Sequence, residues 1–166
     1  EMKSTGEVMG VDYDYGRAFF KAQLSADNLL PLSGKVFMSI RDEDKEQLVD
    51  VAHKLQDAGI ELIGTRGTAE FLEGHGIEMG IIKKVHDGSP NVIDMMRRDE
   101  VALVINTPTN KQSRKDGSRI RRAAVDFKVP YITTIQAAIA ASHAISSMKS
   151  GESAVKSIND YHKEMA

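Results

Sequence analysis

Five short apolar runs, separated by stretches of helical periodicity, constrain this chain more than any other feature. Val36-Phe37-Met38-Ser39-Ile40, Ile60-Glu61-Leu62-Ile63, a weaker run over 80–85, Ala102-Leu103-Val104-Ile105 and Pro130-Tyr131-Ile132 read as strands. Between them the spacing predicts helices. One spans 43–58, where Leu48, Val51 or Ala52, and Leu55 recur and Gly59 supplies the stop. Others follow over 68–73, 91–98, 116–128 and 134–148, and a last amphipathic one over 152–163 after Gly151. Strands joined through helices require crossover connections, so the sheet is parallel and covered on both faces. The absence of polar alternation in 102–105 agrees with burial on both sides. The prediction is one α/β domain over 34–166, three layers (α/β/α) around a central, mainly parallel five-stranded sheet of Rossmann-like kind.

Residues 1–33 have a different character. Asp12 or Asp14 can cap a helix over 15–24, with Ala18 or Phe19, Ala22 and Leu24 roughly on one face. That face packs either on its own domain or on a neighbouring one. Asn28 to Gly34 reads as a connector, because Pro31 and Gly34 interrupt regular structure. Composition narrows the function classes. A formal charge of −2 argues against nucleic-acid binding through net charge, and with no Trp and few aromatics a base-stacking platform is a poor fit. No apolar run reaches the roughly 18 residues of a membrane span. The absence of Cys excludes disulfides and thiolate metal sites and fits a cytoplasmic protein.

In open parallel sheets ligands bind beyond the carboxyl ends of the strands. Four segments fall there. Gly64-Thr65-Arg66-Gly67-Thr68 follows the second strand: glycine permits close backbone approach, and two hydroxyls three residues apart can converge on an anion at a helix N-terminus. The same residues could equally be a plain helix cap by Thr65 or Thr68. Arg41-Asp42-Glu43-Asp44-Lys45 follows the first strand; its acids suit the start of a helix, and Lys45 reads as a surface lysine placed against the helix dipole. In Lys83-Lys84-Val85-His86-Asp87-Gly88-Ser89-Pro90, adjacent lysines on an extended chain point to opposite sides, so at most one of the two easily faces a pocket. His86, without a second ligand at metal spacing, reads as a loop hydrogen-bonder. In Ile105-Asn106-Thr107-Pro108-Thr109-Asn110, Asn106 can donate and accept, although Asn, Thr and Pro are also turn residues. The basic run Lys111, Arg114, Lys115, Arg119, Arg121, Arg122 and Lys128 cannot all face one pocket and reads as solvated surface.

Several of these motifs carry a family resemblance. Met2-Lys3-Ser4-Thr5-Gly6-Glu7-Val8-Met9-Gly10 resembles the close of the second ATP-grasp half of the carbamoyl-phosphate synthetase large subunit. The stretches 64–69, 84–88 and 119–134 resemble the C-terminal, methylglyoxal-synthase-like regulatory domain of that enzyme. The resemblance implies that residues 1–33 are the tail of the ATP-grasp half plus a connector helix whose apolar face belongs to the catalytic domain. It implies an effector phosphate held by Lys45, Thr65, Thr68, Lys84, Asn106 and Thr107, with Asp116, Thr133 and Thr134 at positions that contact a nucleoside or ornithine; Pro108 stands where a relative can carry a binding hydroxyl. It further implies no cofactor in this segment, with ATP and Mg²⁺ serving the rest of the enzyme, and as partners the remaining large subunit and a glutaminase small subunit.

Three classes of function compete. The first is an allosteric domain, catalytically silent, that senses UMP, with IMP or ornithine as alternatives. The second is a lyase like methylglyoxal synthase acting on dihydroxyacetone phosphate, which needs a base beside the phosphate. Asp87-Gly88-Ser89-Pro90-Asn91 departs from that enzyme's paired glycines followed by an aspartate. The third is a structural module that stabilises a homo-oligomer through the first or last helix.

Overall fold

Within each strand, successive side chains point to opposite faces of the sheet, and that alternation sorts the core into two halves. In the computed structural model, which describes residues 8–108, 111–151 and 156–165, the chain runs α1 (Tyr15–Ser25), β1 (Lys35–Ser39), α2 (Lys45–Asp57), β2 (Glu61–Thr65), α3 (Arg66–Glu73) and β3 (Gly80–Ile82). It continues through α4 (Val92–Arg97), β4 (Leu103–Asn106), α5 (Lys111–Asp126), β5 (Tyr131–Ile132), α6 (Ile135–Lys149) and α7 (Ile158–Met165). The five strands are parallel throughout and lie in the order β3-β2-β1-β4-β5.

On one face Val36, Met38, Leu62, Leu103 and Ile105 pack with Leu48, Val51 and Leu55 of α2, Leu72 of α3, and Ile135, Ala138, Ala141 and Ile145 of α6. On the other, Phe37, Ile63 and Val104 pack with Val92, Met95 and Met96 of α4 and Ile120, Ala123 and Ala124 of α5. Burying both faces of the central strands is what a parallel sheet requires, and β4 is buried at all four positions.

Several elements differ from their sequence-based expectations. β3 ends at Ile82, after which a 3₁₀ turn, Val85–Asp87, takes over. α5 begins five residues earlier than the apolar pattern indicates, because its first turns are polar and basic and carry no hydrophobic periodicity. The final helix spans Ile158–Met165; residues 152–155 of the expected one lie outside the described residues. α1 is capped by Asp14, whose side chain accepts from the Arg17 N–H. Contrary to the expectation that its apolar face belongs to another domain, α1 docks on α6, with Phe19 and Phe20 against the core. Gly16 permits this approach, since a Cβ there would lie 2.8 Å from the His143 carbonyl oxygen. Tyr15 and Leu24 stay exposed. Of the N-terminal motif at 2–10, residues 2–7 lie outside the described residues.

Gly64 has a structural role that the ligand-approach reading overlooks. It pairs with Met38 across β1 and β2, and a Cβ on it would lie 2.3 Å from the Met38 carbonyl oxygen. Gly64→Val is expected to force these strands apart and lower stability by about 2–3 kcal/mol in urea denaturation. An unchanged midpoint would contradict this packing.

Candidate functional site

β1 occupies the centre of the sheet because the chain first builds outward through β2 and β3 and then returns to add β4 and β5 on the other side. The connections leaving β1 and β4 therefore diverge, and a crevice opens at their carboxyl ends. A cleft of about 400 Å³ lies there. It is walled by Ser39 to Asp42 at the tip of β1, Lys45 at the start of α2, Thr65, Gly67 and Thr68 at the tip of β2, Lys83 to His86 after β3, Asn106 to Pro108 at the tip of β4, and Asp116 on α5. Phe37, Val85, Val92 and Ile120 contribute apolar surface.

The hydroxyls are oriented by the backbone at the tip of β1. Beyond Ser39 the strand loses its neighbours, and two successive N–H groups need acceptors. Ile40 N–H donates to Thr68 Oγ1 at 3.1 Å, and Arg41 N–H donates to Thr107 Oγ1 at 3.0 Å. A threonine whose oxygen accepts from the backbone keeps its own proton for donation. Thr65 Oγ1 lies 3.3 Å from Thr68 Oγ1, so a Thr68 proton passed to Thr65 leaves the Thr65 proton for the cleft. Thr65 occupies the N-cap position of α3 without making a side-chain cap bond. The plain capping alternative is thus not what its hydroxyl does.

Cations complete this side. Lys45 Nζ lies 2.7 Å from Asp42 Oδ1 and 5.7 Å above the Phe71 ring. The hydrogen bond from Lys45 holds the Asp42 carboxyl below its usual range. Asp42 is 93% exposed, so the pair is screened by water and an entering anion can displace it at little cost. A Cβ on Gly67 would meet only the Lys45 ammonium, at 3.9 Å, so the lack of a side chain keeps open the space between that cation and the first turn of α3. Lys84 also lines the cleft, and no ion pair or hydrogen bond among the described residues engages its ammonium. Its neighbour Lys83 donates to the Ser89 carbonyl at 3.0 Å.

The opposite wall carries acceptors. Asp116 is buried on α5 and its Oδ2 is hydrogen-bonded to His86 Nδ1, while His86 Nε2 lies 3.4 Å from Asp87 Oδ1. His86 thus bridges the loop after β3 to α5. Among the described residues no group of three or more His, Asp or Glu side chains could hold a metal ion.

The structure brings Lys45, Thr65, Thr68, Lys84, Asn106, Thr107 and Asp116 into one cleft, and with them Ser39 and Arg41, which sequence reasoning passed over. It does not bring in Thr133 or Thr134: Thr133 is exposed, and Thr134 caps α6 by accepting from the Ala137 N–H at 3.2 Å. Thr109 and Asn110 lie outside the described residues. Arg114, Lys115, Arg119, Arg121 and Arg122 are exposed on α5. No helix among the described residues is long and apolar enough to cross a membrane.

The anchoring of Thr68 is testable. Thr68→Val leaves the buried Ile40 N–H without an acceptor and is expected to cost about 1–3 kcal/mol, with Thr65→Val costing less. Equal and small losses for both variants in chemical denaturation would contradict the assigned geometry.

Comparison with known proteins adds to this geometry. The MGS-like domain family matches residues 47–133, just over half of the chain. A carbamoyl phosphate synthase large chain of Methanosarcina barkeri is 74% identical over 166 residues, covering 99% of this chain and 42% of that protein. A large chain from Methanosarcina acetivorans is 75% identical, with 99% of this chain matching 16% of that protein. The chain therefore spans less than half the length of these relatives. Methylglyoxal synthase from Elizabethkingia anophelis NUHP1 shares the fold, with a TM-score of 0.54 at 17% identity over 81% of this chain and 93% of that one. On this evidence the chain belongs to the MGS-like domain family, and it is similar to one segment of the carbamoyl phosphate synthase large chain.

Proposed function

We propose that this chain is a regulatory domain of a glutamine-dependent carbamoyl-phosphate synthase large chain, and that its cleft takes a nucleoside monophosphate effector. The observation that carries the reading is the convergence of Lys45, Lys84, Thr65 and Thr68 on one cavity at the strand tips. Ammonium groups and hydroxyls with available protons suit a phosphate, because charge-assisted hydrogen bonds to its oxygens are roughly twice as strong as neutral ones. Thr107, held by the Arg41 N–H, borders the same cavity and can add a further donor. The apolar surface of Val85, Val92 and Ile120 is available to the base or sugar of the ligand.

UMP is the first choice of effector, because carbamoyl phosphate feeds pyrimidine as well as arginine synthesis; IMP and ornithine are the alternatives. Ornithine would draw on Asp116 in the same cleft. The domain itself uses no cofactor and catalyses nothing alone. ATP and Mg²⁺ act in the remainder of the large chain, which with a glutaminase small subunit makes up the cytoplasmic enzyme. An effector regulates such an enzyme only through unequal affinity for two of its states.

The test is calorimetric titration with UMP, IMP and ornithine. Saturable binding of UMP is expected, and Lys84→Ala or Thr65→Ala should weaken it by about 1–3 kcal/mol. Absence of binding by all three ligands, or unchanged affinity in both variants, would refute the assignment.

One observation favours a second reading. The Asp116–His86 pair is an acid–base couple within the same cleft, which a lyase on dihydroxyacetone phosphate would require. Formation of methylglyoxal at an enzymatic rate, abolished by Asp116→Asn, would establish that reading in place of the first.

A further inference from the structure

The turn that follows β1 brings two cations to the cleft and treats them differently. Arg41 and Lys45 both line the cavity. Arg41 is bound to Asp44 twice, from Nε to Oδ2 at 2.7 Å and from Nη2 to Oδ1 at 3.1 Å. Asp44 is buried, so parting this pair would strand a carboxylate away from water, and Arg41 stays committed to it. Lys45 has the opposite arrangement. Its side chain is only 14% exposed, with the ammonium over the Phe71 ring, which a cation favours. Its partner Asp42 stands in water and keeps its hydration when it lets go. The contact of 2.7 Å therefore places a carboxylate oxygen of the cleft wall on an ammonium that can exchange partners.

We propose that Asp42 is a tethered competitor: its carboxylate takes the anion position on Lys45, and a phosphate ligand binds only by displacing it. The inference rests on the phosphate reading of the cleft and adds to it a residue that acts against binding. Asp42 stands three residues before Lys45, so its carboxylate is present at the ammonium at a high effective concentration. A ligand finds Lys45 available only for the fraction of time that the pair is open, and its apparent affinity falls by that fraction. The pair is exposed and hence weak, so the loss is a few-fold and does not close the site. Once displaced, the carboxylate swings into water, and α2 need not move. Affinity is thereby set below what the donors of the wall would give, which suits a ligand whose concentration is to be followed. Asp44 has no such role, because its own cation is not released.

The test is titration calorimetry of the whole chain at low ionic strength with two probes, inorganic phosphate and UMP. Asp42→Asn should tighten both by about three-fold, the scale of one exposed ion pair. Glu43→Gln is the control for charge alone. Its carboxylate is also exposed but lies toward Arg41, with Oε2 3.6 Å from Nη1, and does not line the cleft. That variant should leave both affinities nearly unchanged. In a Lys45→Met background, Asp42→Asn should bring no further gain, because the two residues act as a pair. Unchanged or weaker binding in Asp42→Asn, an equal gain from Glu43→Gln, or a gain that survives Lys45→Met would each overturn the proposal. If Lys45→Met binds neither probe, the comparison of Asp42→Asn with Glu43→Gln decides it. Binding of neither probe by the wild type or by Asp42→Asn would overturn the phosphate reading itself, and the role of Asp42 with it.

Discussion

Two backbone N–H groups at the tip of β1 organise the cleft. Where the central strand leaves the sheet, Ile40 and Arg41 lose their ladder partners, and leaving them buried and unpaired would cost about 1–3 kcal/mol each. Thr68 from the β2 side and Thr107 from the β4 side accept them. These two bonds tie both flanking connections to the middle strand and so set the width of the crevice. They also decide the chemistry of the wall, because each threonine spends a lone pair on the backbone and has a proton to donate, Thr107 to the cleft directly and Thr68 by way of Thr65. Stability and recognition depend on the same atoms.

From that fork the cleft divides into a donor side and an acceptor side. Lys45, Lys84 and the paired threonines favour an anion; Asp116, held by His86, faces it from α5. An anion entering the first side finds a partial substitute already present in Asp42, whose exposed carboxylate sits on Lys45. Exchange of one screened partner for a multiply bonded phosphate suits reversible occupation. Lys45 stands at the start of α2, which packs with α6 on the core, and α1 packs in turn on α6.

Much of the fold was legible because buried parallel strands leave a strong mark. Ala102 to Ile105 lacks any polar residue, Val36 to Ile40 is broken only by Ser39, and Gly59 ends its helix where the periodicity stops. The start of α5 was not legible, since Lys111 to Asp116 offers no apolar stripe to read. Nor could a stripe on α1 say what covers it; the contact depends on Gly16 meeting the backbone of α6 more than a hundred residues later. At the site, the strand-tip rule located the segments, while the choice of Lys45 and Lys84 among many lysines came from family resemblance. Thr65 and Thr68 were ambiguous in sequence, because a capping threonine and an anion-binding threonine look alike until the hydrogen bonds are seen. The bond from Asn106 to Tyr131 gave no signal, as the two lie 25 residues apart on neighbouring strands.

The central claim is that groups gathered at the strand tips seat a phosphate. Its most direct test is an NMR titration of isotope-labelled protein with UMP, following backbone amides across the chain. The account predicts saturable shifts concentrated at Ile40, Arg41, Thr65 to Thr68, Lys84 and Thr107, with the outer faces of α1 and α7 unmoved. Saturable shifts clustered on those outer faces, with the amides around β1 unmoved, would contradict it.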